Sequence, residues 1–122
     1  MSETPFRFRH QVIDDAPPGS MLDITLLTDV DGDGRCDIVI GGKEGPVNLF
    51  WYENPSWQRH EMAAAEQLEA GGLAVDLTGT GRSDIIAGQQ VHSHNLILVR
   101  EPAGSDGLVA RPHHRRPFRE VP

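Results

Sequence analysis

The sequence predicts an all-β fold built from β-propeller blades, with two four-stranded repeats of about 47 residues in a chain of 122. Three observations carry that expectation. The 13 glycines and 9 prolines interrupt the chain too often for a helical bundle and suit short strands joined by turns. The middle of the chain repeats itself at one fixed offset. Each copy holds short β-branched or aromatic runs bounded by turn residues, which is how half-buried strands are written.

The repeat is the strongest of the three. LTDVDGDGRCDIVIGG from Leu27 aligns with AVDLTGTGRSDIIAGQ from Ala74, so that Asp29, Gly32, Gly34, Arg35 and Asp37 fall on Asp76, Gly79, Gly81, Arg82 and Asp84, an offset of 47 residues. The same offset places NLFWYENP at Asn48 on NLILVREP at Asn95. Two separate matches at one offset are hard to obtain by chance. A third element recurs at looser spacing: Arg9-His10-Gln11-Val12-Ile13 resembles Arg59-His60-Glu61-Met62, and each precedes a new repeat. The tail PHHRRPF, residues 112–118, reads as a degraded third copy. The expected organisation is a single partial propeller domain over 1–122, with residues 7–13 a strand completing a neighbouring blade. The first repeat then covers 20–62, and the second covers 71–119 with a degenerate end.

Within the first repeat, residues 22–27 (LDITLL) alternate loosely and end at an acidic turn. Residues 37–40 (DIVI) form a short run stopped by Gly41-Gly42, and residues 47–52 form a third strand stopped by Asn54-Pro55. The segment around Arg59-His60 is the fourth. Residues 61–70 (EMAAAEQLEA) are rich in helix formers, with Gly71 placed as a C-cap. The matching slot before the first repeat holds DDAPPGS, which no regular helix accommodates. The expectation is a connection with at most a helical turn.

The acidic turn carries the clearest chemistry. Asp29, Asp31, Asp33 and Asp37 stand at positions 1, 3, 5 and 9 of a loop whose Gly32 and Gly34 let the backbone curl through positive φ. Calcium takes six to eight oxygens at roughly 2.3–2.6 Å in flexible geometry. Alternate carboxylates with a main-chain carbonyl near Arg35 can supply five or six of these, and water the rest. An EF-hand is excluded: no Glu stands at position 12, and strands rather than helices flank the loop. The other reading is an ordinary Asp-Gly turn between strands. In the second copy Asp76 and Asp84 persist, while Thr78 and Thr80 replace the two middle acids. That loop is expected to close through hydroxyl hydrogen bonds without metal.

The runs DVDGDGRCDIVIGG and NLFWYENPSWQRHE resemble FG-GAP/VCBS-type repeats, with the likeness extending over residues 9–102. The resemblance implies propeller blades, a calcium ion held at a blade's hairpin for structure, and an extracellular or periplasmic setting. It carries the calcium role onto Asp29, Asp31, Asp33 and Asp37 with the carbonyl of Arg35; the second loop departs from the pattern at Thr78 and Thr80. Two blades do not close a ring, and an open pair leaves sheet edges and apolar flanks uncovered. The expected partner is therefore the chain itself, in a cyclic homo-oligomer. A longer propeller or blades of another protein are the other ways to cover them.

Other candidates stand outside the shared scaffold. His92 and His94 are two apart beside the strand 96–99, so both imidazoles can point one way and hold a transition metal or a sugar; a solvated polar loop is the simpler reading. Tyr52 and Trp57 can stack on a sugar, whereas Trp51, replaced by Leu98, reads as core. His10 and His60 recur with the repeat and read as structural hydrogen-bonders. Residues 111–119, with four arginines and two histidines, suit an acidic partner or a solvated tail.

The net charge of −7 argues against nucleic acid, and no apolar run approaches the roughly 20 residues of a membrane span. No signal peptide is apparent in the N-terminal residues. Cys36 is the single cysteine, so no internal disulfide is expected. No nucleophile–base pair or phosphate loop is evident, so an enzyme is the lesser expectation. The leading function is a calcium-stabilised module for carbohydrate or protein binding and self-assembly. The alternatives are the propeller part of a sugar-processing, metal-dependent lyase or dehydratase, with His92, His94 and Glu44 at its site, and a purely structural oligomer.

Overall fold

The computed structural model describes residues 4–65, 67–90 and 94–100. These residues are all β or irregular, with no helix among them. Four strands, β1 (Ser20–Thr28), β2 (Asp37–Glu44), β3 (Leu49–Glu53) and β4 (Gln58–Ala63), form one antiparallel sheet in chain order. Three more, β5 (Leu68–Val75), β6 (Asp84–Gln89) and β7 (Leu96–Val99), form a second. The registers repeat with the sequence: Leu26, Val39 and Trp51 stand in one row, as Leu73, Ile86 and Leu98 do in the second sheet. Each sheet is one blade-like repeat, and the fourth-strand region of the second lies outside the described residues.

The sheets pack face to face. Ile24, Val39, Leu49 and Met62 of the first sheet meet Leu68, Ile85, Ala87 and Val99 of the second in one buried cluster, with Leu26 and Trp51 against it. Successive residues of a strand point to opposite faces, so Ile38, Ile40, Phe50 and Tyr52 lie on the other side of the first sheet. There residues 10–17 cross over them and leave a cavity of about 410 Å³, lined by Val12, Leu22, Ile38, Ile40 and Tyr52 among others. Asp14 fastens this crossing: its Oδ2 accepts hydrogen bonds from the Tyr52 hydroxyl (2.6 Å) and Arg59 Nη1 (2.8 Å).

Three boundaries differ from the sequence expectation. β2 runs through Gly41-Gly42 to Glu44 instead of stopping there. The glycines serve close approach: a Cβ on Gly41 would lie 3.2 Å from Ile24 and Leu49 side-chain atoms, and one on Gly42 only 2.5 Å from Leu22 Cδ2. β5 begins at Leu68, earlier than the expected start at 71. The helix-forming stretch 61–70 makes no helical turn in its described residues. Its ends belong to β4 and β5, and Asn48 binds the connection by accepting from Ala65 N (2.7 Å) and donating to the Ala65 carbonyl. Burial of Met62, Ala63 and Leu68 overrides local propensity here. Residues 7–13 pair with no strand among the described residues, and Phe6 and Phe8 are 94% and 95% exposed.

Candidate metal centre

The acidic turn is built around two carboxylates that work as caps. Asp29 Oδ1 accepts from the N–H of Gly32 (2.8 Å) and Asp33 (3.2 Å), and Oδ2 from that of Gly34 (2.8 Å). Gly32 and Gly34 adopt φ of 77° and 84°, the left-handed conformation that aims these donors inward. Asp37, fully buried at the start of β2, accepts from Val30 N (2.8 Å) and from Asn54 N (2.9 Å) in the β3–β4 turn. The sequence places Asp at both ends of the loop because backbone N–H groups there need acceptors.

Asp31 adds the chemistry that a turn does not require. One carboxylate oxygen each of Asp29, Asp31 and Asp37 lies within 4.8 Å of the others. Two oxygens bound to one calcium at roughly 2.3–2.6 Å can stand no more than about 5 Å apart, so this spacing fits one ion. The donors are all hard oxygens, which suits calcium or magnesium rather than a softer metal. Each carboxylate oxygen has two lone pairs, so accepting one N–H leaves capacity for a cation. Partial burial, with the negative charges of Asp37 and Asp33, pushes the Asp31 carboxyl up to about 6 against the pull of the Asp33 N–H. The Asp29 carboxyl is opposed by its own desolvation, yet the N–H groups of Gly34 and Gly32 hold it below the usual value.

Asp33 stands outside this group: it is exposed, and its Oδ1 accepts from Arg35 N at 2.8 Å. Arg35 is exposed as well. Glu53 stands beside Asp31 and helps to raise its carboxyl, and its Oε2 lies 3.1 Å from His60 Nε2. Sequence reasoning passed over Glu53, although its counterpart at the repeat offset is Arg100, the same kind of change that marked Thr78 and Thr80. The second repeat also reaches this turn, since the Arg82 side chain lies against Gly32 and Thr28 Oγ1 is 2.7 Å from Ser83 Oγ.

The second turn copies the caps without the acids between them. Asp76 accepts from the N–H of Thr78, Gly79, Thr80 and Gly81, and the Gly81 bond chiefly holds its carboxyl below the usual value. Asp84 is buried and accepts from Leu77 N at 3.3 Å, as Asp37 does from Val30. Thr78 Oγ1 and Thr80 Oγ1 are 3.3 Å apart.

The remaining candidates are dispersed. The Tyr52 hydroxyl is held by Asp14 and its ring is 5% exposed, and burial with that bond pushes its pKa up to about 12. Trp57 is half-buried in the β3–β4 turn, and His94 is exposed before β7. No hydrogen bond, ion pair or ring contact joins these three among the described residues. His92 and the basic segment 111–119 lie outside the described residues. His60 stacks on Trp51, with ring centroids 4.5 Å apart. Lys43 pairs with Glu69 of the second sheet at 3.2 Å, while Glu44 accepts from Ser20 Oγ at 3.0 Å.

Residues 29–87 match the family model of the FG-GAP-like repeat. Aldos-2-ulose dehydratase of Phanerodontia chrysosporium is 28% identical over 107 residues, which take in 80% of this chain and 12% of that protein. The chain thus spans about an eighth of the curated relative it matches. No solved structure gives a significant match.

Proposed function

From the match of residues 29–87 to the FG-GAP-like repeat, we propose that the chain is a calcium-stabilised pair of propeller blades that serves as a binding module. The observation that carries the calcium reading is the convergence of Asp29, Asp31 and Asp37 within 4.8 Å on a loop whose copy keeps only the two capping acids. Asp29, Asp31 and Asp37 are its side-chain ligands, with Glu53 beside them. The ion's contribution is structural: it neutralises carboxylates that otherwise repel one another, and ties the first turn to the start of β2. Recognition of a glycan or a protein is assigned to the exposed loops that carry Trp57 and His94.

Calorimetric titration with calcium tests the reading. One site per chain is expected, lost in Asp31→Asn and accompanied by a rise in melting temperature. Absence of both heat and thermal shift at millimolar calcium would end it. Glycan-array binding by the calcium-loaded chain, weakened by Trp57→Ala, tests the recognition role; silence across glycans limits that role to protein ligands.

A second reading follows from the dehydratase relative, in which the blade pair is the propeller part of a sugar-processing, metal-dependent lyase or dehydratase. Water loss from an aldos-2-ulose, reduced on replacing His92 and His94, supports it. Turnover unchanged by that double replacement removes the two histidines from the site.

A further inference from the structure

The joint between the two sheets has two halves, and each half recurs at an opposite flank of the molecule. Inside the chain, Leu26, Val39 and Trp51 present the first sheet's face to Ile85, Ala87 and Val99 of the second. At the repeat offset, the first set becomes Leu73, Ile86 and Leu98, one row on the side of the second sheet turned away from the first. Leu73 is 57% exposed there. The second set derives from Ile38, Ile40 and Tyr52, which floor the cavity on the first sheet's far side. The described residues therefore present an apolar ridge on one flank and an apolar seat on the other, matching the two surfaces already packed internally.

The connecting strand recurs in the same way. β4 precedes β5 as residues 9–13 precede β1. Met62 in β4 is buried, whereas Val12, its counterpart, is 62% exposed. Residues 10–14 already lie along the seat, where a preceding blade's outermost strand would run.

We infer that the chain joins head to tail with a second copy of itself. The Leu73, Ile86 and Leu98 row of one copy seats on the first-sheet flank of the next, whose residues 9–13 pair along β7 as β4 pairs along β3. The inference rests on the blade-repeat half of the proposed function and is independent of calcium. A second copy is the fitting occupant because it carries both complements at once, the seat and the strand. The register follows from the internal pairs: His60 opposite Trp51 becomes His10 opposite Leu98, and Glu61 opposite Phe50 becomes Gln11 opposite Ile97. Such contacts are heterologous, so repetition closes a ring or grows a filament.

Light scattering on the intact chain tests the joint first; a whole multiple of the monomer mass is expected, falling to the monomer in Leu73→Arg with unchanged strand circular dichroism. The register is tested in a Cys36→Ser background. A mixture of Leu98→Cys chains with His10→Cys chains should give a disulfide-linked dimer, since cross-strand partners lie within disulfide reach. Leu98→Cys mixed with Gln11→Cys should give none, because those side chains point to opposite faces. A monomeric intact chain, or cross-linking as strong through Gln11→Cys as through His10→Cys, overturns the inference. Terbium luminescence on Leu73→Arg separates the two proposals: a retained ion site with lost assembly is the expected pattern, and a cross-linked multimer that binds no ion would overturn the calcium reading alone.

Discussion

The two sheets share a register, a turn and a pair of capping aspartates, yet among the described residues only the first gathers acids around its turn. In the first, Asp29 and Asp37 cap the backbone while Asp31 and Glu53 crowd in beside them. In the second, Asp76 and Asp84 cap in the same way, and Thr78 and Arg100 stand where Asp31 and Glu53 would be. The comparison separates two jobs that one motif combines. The acids at positions 1 and 9 are needed to fold the turn, with or without an ion. Asp31, between them, is the acid on which the proposed ion site depends.

The largest expected effect comes from removing a cap. Asp37 is fully buried and satisfies two backbone donors in different turns. Asp37→Ala strands both, and at about 1–3 kcal/mol per unsatisfied buried group the loss should reach about 3 kcal/mol. Urea denaturation should show it as a lower midpoint. Asp84→Ala should cost less, because its bond to Leu77 N is longer at 3.3 Å. Equal losses at the two sites would break the link between the length of that bond and its contribution.

Loss of calcium should weaken the fold somewhat less. A ligand that binds only the folded state stabilises it by about 2.7 kcal/mol at a hundredfold excess over its dissociation constant. Chelation should therefore lower the wild-type melting temperature and leave Asp31→Asn unmoved. Thr78→Asp with Thr80→Asp should sharpen the contrast from the other side. The double change restores the missing acids, and a second calcium-binding event should appear in calorimetry, weaker than the first because Arg100 replaces Glu53. If the double variant binds no second ion, the acids alone do not make the site.

Much of this architecture was legible because the chain carries its own control. The offset of 47 residues gave both repeats and the acids that the second turn lacks, while the closing of that turn by the Asp76 carboxylate, not by the expected threonine hydroxyls, came from the structure. What remained hidden depends on contacts between distant segments. Glu53 reaches the turn only because β3 lies beside β2, bringing Tyr52 opposite Ile38 and its neighbour toward the loop. The strands across 61–70 were obscured by local helix propensity, which burial of Met62 and Leu68 overrides. Asp33 looked equivalent to Asp31 by spacing, and only the curl of the loop shows it turned to Arg35 N. The latch of Asp14 on Tyr52 and Arg59 joins residues 38 and 45 positions apart, beyond any periodic signal.

That latch supplies the smallest expected effect, and it too distinguishes the blades, since Val99 stands in the second where Tyr52 stands in the first. The Tyr52 hydrogen bond, followed by the Ala16 N–H and Arg59, holds the Asp14 carboxyl below its usual value. A carboxyl depressed in the folded state contributes stability above its unfolded pKa of about 4, and that contribution fades as pH falls through the lower folded value. Asp14→Asn should therefore melt slightly below wild type at neutral pH, and the gap should close as pH falls below the usual carboxylate range and the wild-type carboxyl takes up its proton. The change should be small, because Asp14 and Arg59 meet at the surface, where solvent weakens the pair. Thermal melts of both proteins across this range decide the matter: a gap that stays constant with pH would show that Asp14 acts through packing, not through its charge. Because Asp14 holds the crossing segment over the first sheet, the same melts also report how firmly that flank is closed.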